Sequence, residues 1–102
     1  MERARPRIGI IGAGAMGTLF GYHLAGSCDV TMLDQNAAVS RAIERDGLQV
    51  DDRPARRVFV AAEARDLFDS SALFLFVKAV DTLHALRPFA GELDPASPVV
   101  SL

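Results

Sequence analysis

What this 102-residue sequence has little of already closes off several classes of function. There is one cysteine, Cys28, so no disulfide framework can form within the chain, and a reducing compartment suits it. The two histidines, His23 and His84, stand without Cys or His partners at metal-ligand spacing, and each reads as a helix-surface or packing residue. No apolar run approaches the ~18 residues of a membrane span. The N-terminal stretch "IGIIGAGAM" is apolar but holds three glycines and no cleavage-type ending, so it is not a signal peptide. An excess of charge of one sign is also missing. Against 13 acidic residues stand 11 basic ones, and a formal net charge of -2 makes no electrostatic case for nucleic acid or anionic lipid as the main partner. The one basic cluster, Arg3, Arg5 and Arg7, lies beside Glu2 and Pro6 and reads as a solvated lead-in. The cytoplasm is the default location.

Lysine is the scarcest charge. Ten arginines carry the rest of the positive charge, and the single lysine, Lys78, closes the apolar run in "FLFVKAVD". Otherwise the composition is that of a globular domain, half hydrophobic and 24% charged with the signs interspersed. The length is enough for one core.

Along the chain, strand-like and helix-like segments alternate. Residues 7–11 form a β-branched apolar run ending at a glycine, the pattern of a buried parallel strand. From Ala15 to Ala25 the apolar Met16, Leu19, Phe20 and Leu24 recur at helical spacing, with Gly26 as a stop. Residues 29–34 read as a second strand. A second helix over 37–45 has Val39, Ala42 and Ile43 on one face and Gly47 past its end. "LQV" and "RVFVA" read as two strands around the polar turn "DDRPAR". Residues 72–77 predict a buried strand and 81–89 a short helix, and "PVVSL" opens a last strand. This alternation predicts right-handed βαβ units and an α/β fold of Rossmann type, a parallel sheet with helices on both faces. The chain runs out within a strand-like segment, so residues 1–102 read as one dinucleotide-binding domain, the first part of a longer architecture.

The main functional signal is "GIIGAGAMGTLFG". Gly12, Gly14 and Gly17 make G-x-G-x-x-G, preceded by a strand, followed by a helix, and answered by an acid, Asp34, at the end of the next strand. In such a turn Gly12 permits the tight reversal, Gly14 lets the backbone approach a pyrophosphate, and Gly17 brings the helix close to the sheet. The helix start offers free N–H groups to phosphate. A glycine-rich turn that binds nothing is the alternative. Asp34 can accept hydrogen bonds from both adenosine ribose hydroxyls, which favours NAD; it can also serve as an N-cap for the second helix. Lys78, at the carboxyl end of a strand beside the first, is placed to meet a phosphate, a ribose hydroxyl or a substrate carboxylate. Its alternative is a lysine reaching from a strand end to water.

"RIGIIGAGAMGTLFGYHLA", "DVTMLDQN", "IERDGLQV" and "LFLFVKAVDT" together resemble the N-terminal domain of the ketopantoate reductases, the 2-dehydropantoate 2-reductases. The resemblance implies an NAD(P)H-dependent oxidoreductase that reduces ketopantoate to pantoate on the route to pantothenate, with a separate helical domain supplying most catalytic groups. It places the phosphate loop on Gly12, Ala13, Gly14, Ala15, Met16 and Gly17, and the family's site lysine on Lys78. It also implies NADPH, held by an Arg just after the second strand. Here that position is Gln35, preceded by Asp34, and the pair favours NADH instead. Arg41 and Arg45 follow on the second helix and could approach a 2′-phosphate from the side, although the helical spacing points them to solvent. A Gln that the family carries after its lysine is Asp81 here, and its catalytic Lys and Asn would come after Leu102, so no catalytic residue is assigned in this chain. The rival readings are a domain of the 3-hydroxyacid or 6-phosphogluconate dehydrogenase type, against which the "VKA" strand end stands, and a nucleotide-sensing module without turnover.

Overall fold

The computed structural model describes residues 5–78, 81–94 and 96–101. Arg3 of the basic cluster, Ala79 of the "VKA" strand end and Leu102 of the last strand lie outside the described residues.

Five parallel strands form one sheet in the order β3-β2-β1-β4-β5. β1 (Arg7–Ile11) is central and buried on both faces, and this is why its sequence is an unbroken apolar run and not an alternating one. β2 (Asp29–Leu33) does alternate, turning Val30 and Met32 to one face. β4 (Ala72–Leu75) turns Leu73 and Leu75 to the opposite face. β3 (Phe59–Val60) and β5 (Val99–Ser101) are short edges. The chain winds outward through β1, β2 and β3, then crosses back to lay β4 on the far side of β1. Two cores result. Ile8, Ile10, Val30 and Met32 pack with Tyr22, Ile43 and Leu48 on one face. On the other, Ile11, Leu73 and Leu75 pack with Ala61, Leu67 and Phe89. Each large aliphatic side chain taken fully from water contributes about 1.5–3 kcal/mol. Helices α1 (Ala15–Leu24) and α2 (Ala37–Asp46) cover the first face, and α3 (Thr82–Leu86) with two 3-10 turns covers the second. This is the expected α/β Rossmann-type fold.

Several local expectations change. The apolar stripe of α1 meets the sheet only in part: Met16 is 51% exposed and Leu19 37%, while Phe20 packs against Phe74 and Phe76 and Leu24 against the first core. The buried residues of the helix are Gly17, Gly21 and Tyr22. A Cβ on Gly21 would lie 2.9 Å from Leu48 Cδ1 and 3.1 Å from Met32 Sδ, so the bare glycine backbone lets α1 settle onto the core. Phe20 and Leu24 are left half-buried along its flank. The "LQV" and "RVFVA" segments do not form a two-stranded ribbon. They share one antiparallel bridge, Leu48 with Arg56, after which only Phe59–Val60 joins the sheet, parallel to β2. The segment between Val60 and β4 holds a 3-10 turn, Ala64–Leu67, that the sequence pattern did not signal. β4 ends at Leu75 and not at residue 77; the Phe76 N–H still donates to the carbonyl of Ile11 (2.8 Å), and the chain then leaves the sheet. The helix expected over 81–89 breaks into α3 and a 3-10 turn, Arg87–Phe89. Pro88 has no N–H to continue it, and its ring opposes the carbonyl four residues back.

Candidate functional site

A cleft of about 690 Å³ opens at the carboxyl ends of β1, β2 and β4, beside the point where the winding reverses between β1 and β4. Such a volume is in the range of cofactor and ligand pockets. In open parallel sheets this crevice is where ligands sit.

The turn from β1 into α1 forms one wall. Gly12 has φ +99°, and a Cβ there would lie 2.5 Å from the Phe76 carbonyl oxygen, so both conformation and space demand glycine. Gly17 is closed off differently, because its Cβ would sit 2.0 Å from the Gly12 carbonyl oxygen. Gly14 is the exception. It is exposed, its φ of -70° suits any residue, and a Cβ there would meet nothing within 4 Å. The fold leaves open the space in front of Gly14. α1 begins there with no side-chain cap and no acid in its first turn, leaving N–H groups and the positive end of the helix dipole turned outward.

Asp34 extends from the end of β2 into the same cleft. Its Oδ2 accepts from the Ala13 N–H (2.8 Å) and its Oδ1 from the Asn36 N–H (2.8 Å). The N-cap of α2 is Asn36, whose Oδ1 accepts from the N–H groups of Ala38 (2.9 Å) and Val39 (3.4 Å). A carboxylate offers about four acceptor positions. Two on Asp34 are occupied by backbone, and the other two remain for hydroxyl donors.

Of the sequence-predicted residues, Gly12, Ala13, Gly14, Asp34, Gln35 and Lys78 line the cleft. Ala15 and Met16 are exposed in the first turn of α1 at its margin, and Gly17 is buried beneath. Lys78 is exposed and makes no ion pair among the described residues. No described arginine lines the cleft. Four are in ion pairs: Arg5 with Asp29, Arg7 with Asp69, Arg45 with Asp46 and Arg65 with Glu63. Arg45 grips Asp46 through two nitrogens (3.0 and 2.9 Å), and its hydrogen bonds hold that carboxyl below the usual carboxylate range. Asn36, Glu63, Asp81 and His84 also line the cleft, and no sequence pattern singled them out for it. Glu63 and Asp81 each come within three residues of a strand's carboxyl end or of Lys78, so the crevice rule applied to β3 and β4 would have found them. Among the described residues no group of His, Cys, Asp and Glu is arranged to hold a metal ion, and no helix is long and apolar enough to cross a membrane.

Residues 8–102 match the family described as ketopantoate reductase PanE/ApbA. The chain belongs to that family. No curated protein matches the sequence well enough to add to this. Among solved structures, a PanE/ApbA family ketopantoate reductase from Ralstonia eutropha JMP134 is 26% identical with a TM-score of 0.78, over 94% of this chain and 33% of that one. A Ralstonia solanacearum MolK2 protein assigned as a ketopantoate reductase is 27% identical with a TM-score of 0.79, over 96% and 32%. A D-mandelate dehydrogenase in complex with NADH is 27% identical with a TM-score of 0.71, over 91% and 29%. The chain thus spans about a third of the length of these proteins. Ketopantoate reductases are oxidoreductases.

Proposed function

We propose that residues 1–102 are a dinucleotide-binding domain, and that the protein to which it belongs reduces a 2-keto acid such as ketopantoate to its 2-hydroxy acid. One observation carries this reading: the open space at Gly14, the uncapped start of α1 and the carboxylate of Asp34 all meet in one cleft. The pyrophosphate would lie over Gly14 against the N–H groups of Ala15, Met16 and Gly17. Gly12 and Ala13 shape the turn beneath it. The nicotinamide, when bound, supplies the hydride. The protein's part is to hold, orient and shield the reacting groups. Lys78, the only Lys or Arg among the described lining residues, would neutralise a phosphate or a substrate carboxylate at the β4 end. A compact ammonium on a flexible stem can follow either group.

The cofactor favoured by these residues is NADH. The two remaining acceptor positions of Asp34 match the two vicinal hydroxyls of an unphosphorylated ribose. A 2′-phosphate has no hydroxyl to give there and would face a carboxylate, with Gln35 where an arginine would help. Neither Arg41 nor Arg45 lines the cleft, and Arg45 is held by Asp46.

Gly14→Val tests the binding mode. The added side chain enters open space, so circular dichroism should match wild type and stability should fall only by the loss of a glycine N-cap, about 1 kcal/mol, while calorimetric NADH binding disappears. A variant that keeps wild-type affinity would defeat the proposal.

A further inference from the structure

We infer that Asp34 is a latch between the two loops framing the cleft, so that the acid that selects the ribose also shapes the phosphate turn. The inference rests on the dinucleotide reading and deepens it. Ala13 and Asn36 are 23 residues apart in sequence, and both give their N–H to the same carboxylate at 2.8 Å. These are hydrogen bonds to a charged acceptor, about twice as strong as neutral ones. The peptide groups around Ala13 are tied from both sides: Asp34 holds the N–H, and Thr18 Oγ1 donates to the carbonyl oxygen at 3.1 Å. On the other loop, Asn36 is held by Asp34 while its own side chain caps α2, so the carboxylate connects the start of α2 to the glycine turn. The backbone supports the same junction, with the Gly12 N–H donating to the Leu33 carbonyl (2.8 Å).

If Asp34 only met the ribose, its removal would relieve the repulsion of a 2′-phosphate and leave the phosphate turn intact. A latch predicts more. Without the carboxylate, two backbone N–H groups lose their partner and the turn that receives the pyrophosphate loosens. Asp34→Ala should therefore move the affinity ratio toward NADPH while weakening both cofactors. Gln35 is exposed and makes no hydrogen bond among the described residues, so Gln35→Arg can add a cation for the 2′-phosphate without touching the latch.

The two roles separate with a ligand that has a phosphate but no adenosine ribose. Reduced nicotinamide mononucleotide is such a probe. Its affinity, measured by calorimetry, should fall roughly three- to tenfold in Asp34→Ala even though a negative charge has left the cleft. Amide exchange on the ¹⁵N-labelled chain should show Ala13 and Asn36 opening about tenfold faster, as when an amide loses a charge-assisted bond, with Ile10 and Ile43 unchanged. Asp34→Asn, which keeps one carbonyl acceptor, should fall between. Unchanged exchange at both amides, or mononucleotide affinity that is unchanged or raised, would overturn the latch. The exchange measurement needs no ligand. Failure of wild type to bind either NADH or NADPH would instead defeat the dinucleotide reading.

Discussion

Gly12, Gly14 and Gly17 look equivalent as letters in a motif, yet the structure gives them different work. Gly12 and Gly17 are required by the fold itself, the first through its φ of +99° and the second because a Cβ there would collide with the Gly12 carbonyl oxygen. Gly14 is required by nothing in the fold. Gly17→Ala should therefore destabilise by about 1–3 kcal/mol, the usual cost of overpacking. In a domain of this size that lowers Tm by roughly 4–8 °C per kcal/mol. Gly14→Ala should cost less, about 1 kcal/mol or under, from the poorer N-cap alone. Equal losses for the two would show that the space seen in front of Gly14 is not free. The spacing made all three glycines and Asp34 legible in the sequence, because the chemistry of the motif is local. The bonds of Asp34 were not legible. That its carboxylate reaches Ala13 depends on how β1 and β2 lie side by side, which no local pattern states.

Elements were legible where a periodic pattern and a stop signal agreed, as in β1, β2 and α2. They were misread where packing overrode the pattern. The stripe of Met16, Leu19, Phe20 and Leu24 on α1 is a real periodicity, but contact through glycine brings the backbone closer to the sheet than any leucine face could. Tyr22, on the buried side, has its hydroxyl donating to the Pro54 carbonyl (2.7 Å) and its ring 4.5 Å beneath the Arg56 guanidinium. Tyr22→Ala should cost about 3 kcal/mol or more, and Met16→Gln less than about 0.5 kcal/mol, both read by urea unfolding. The reverse order would show that α1 buries its Met16 side and not its Tyr22 side. The 3-10 turn at 64–67 escaped notice because Glu63 is an unusual N-cap. It nonetheless closes a reciprocal box, in which Asp66 accepts from the Glu63 N–H (3.1 Å).

At the scale of the whole molecule, alternation of strands and helices was enough to predict a doubly wound parallel sheet. The cleft lies at the carboxyl ends of the strands beside β1, where an open parallel sheet of this topology has its crevice. Which charges line the crevice depended on the folded chain. Among the described residues the arginines lie elsewhere, and Lys78 shares the cleft lining with Asp34, Glu63 and Asp81. That balance suits a cofactor with few negative charges. The isolated 102-residue chain should bind cofactor without reducing ketopantoate, since the family resemblance places the proton donor for the alkoxide on residues outside it; turnover above background by the purified chain would contradict this.

The most direct test of the account is a side-by-side calorimetric titration of the wild-type chain with NADH and NADPH at one salt concentration. The arrangement of Asp34, Gln35 and the cleft without arginine predicts that NADH binds at least as tightly as NADPH. A tenfold preference for NADPH, about 1.4 kcal/mol in the opposite direction, would contradict it.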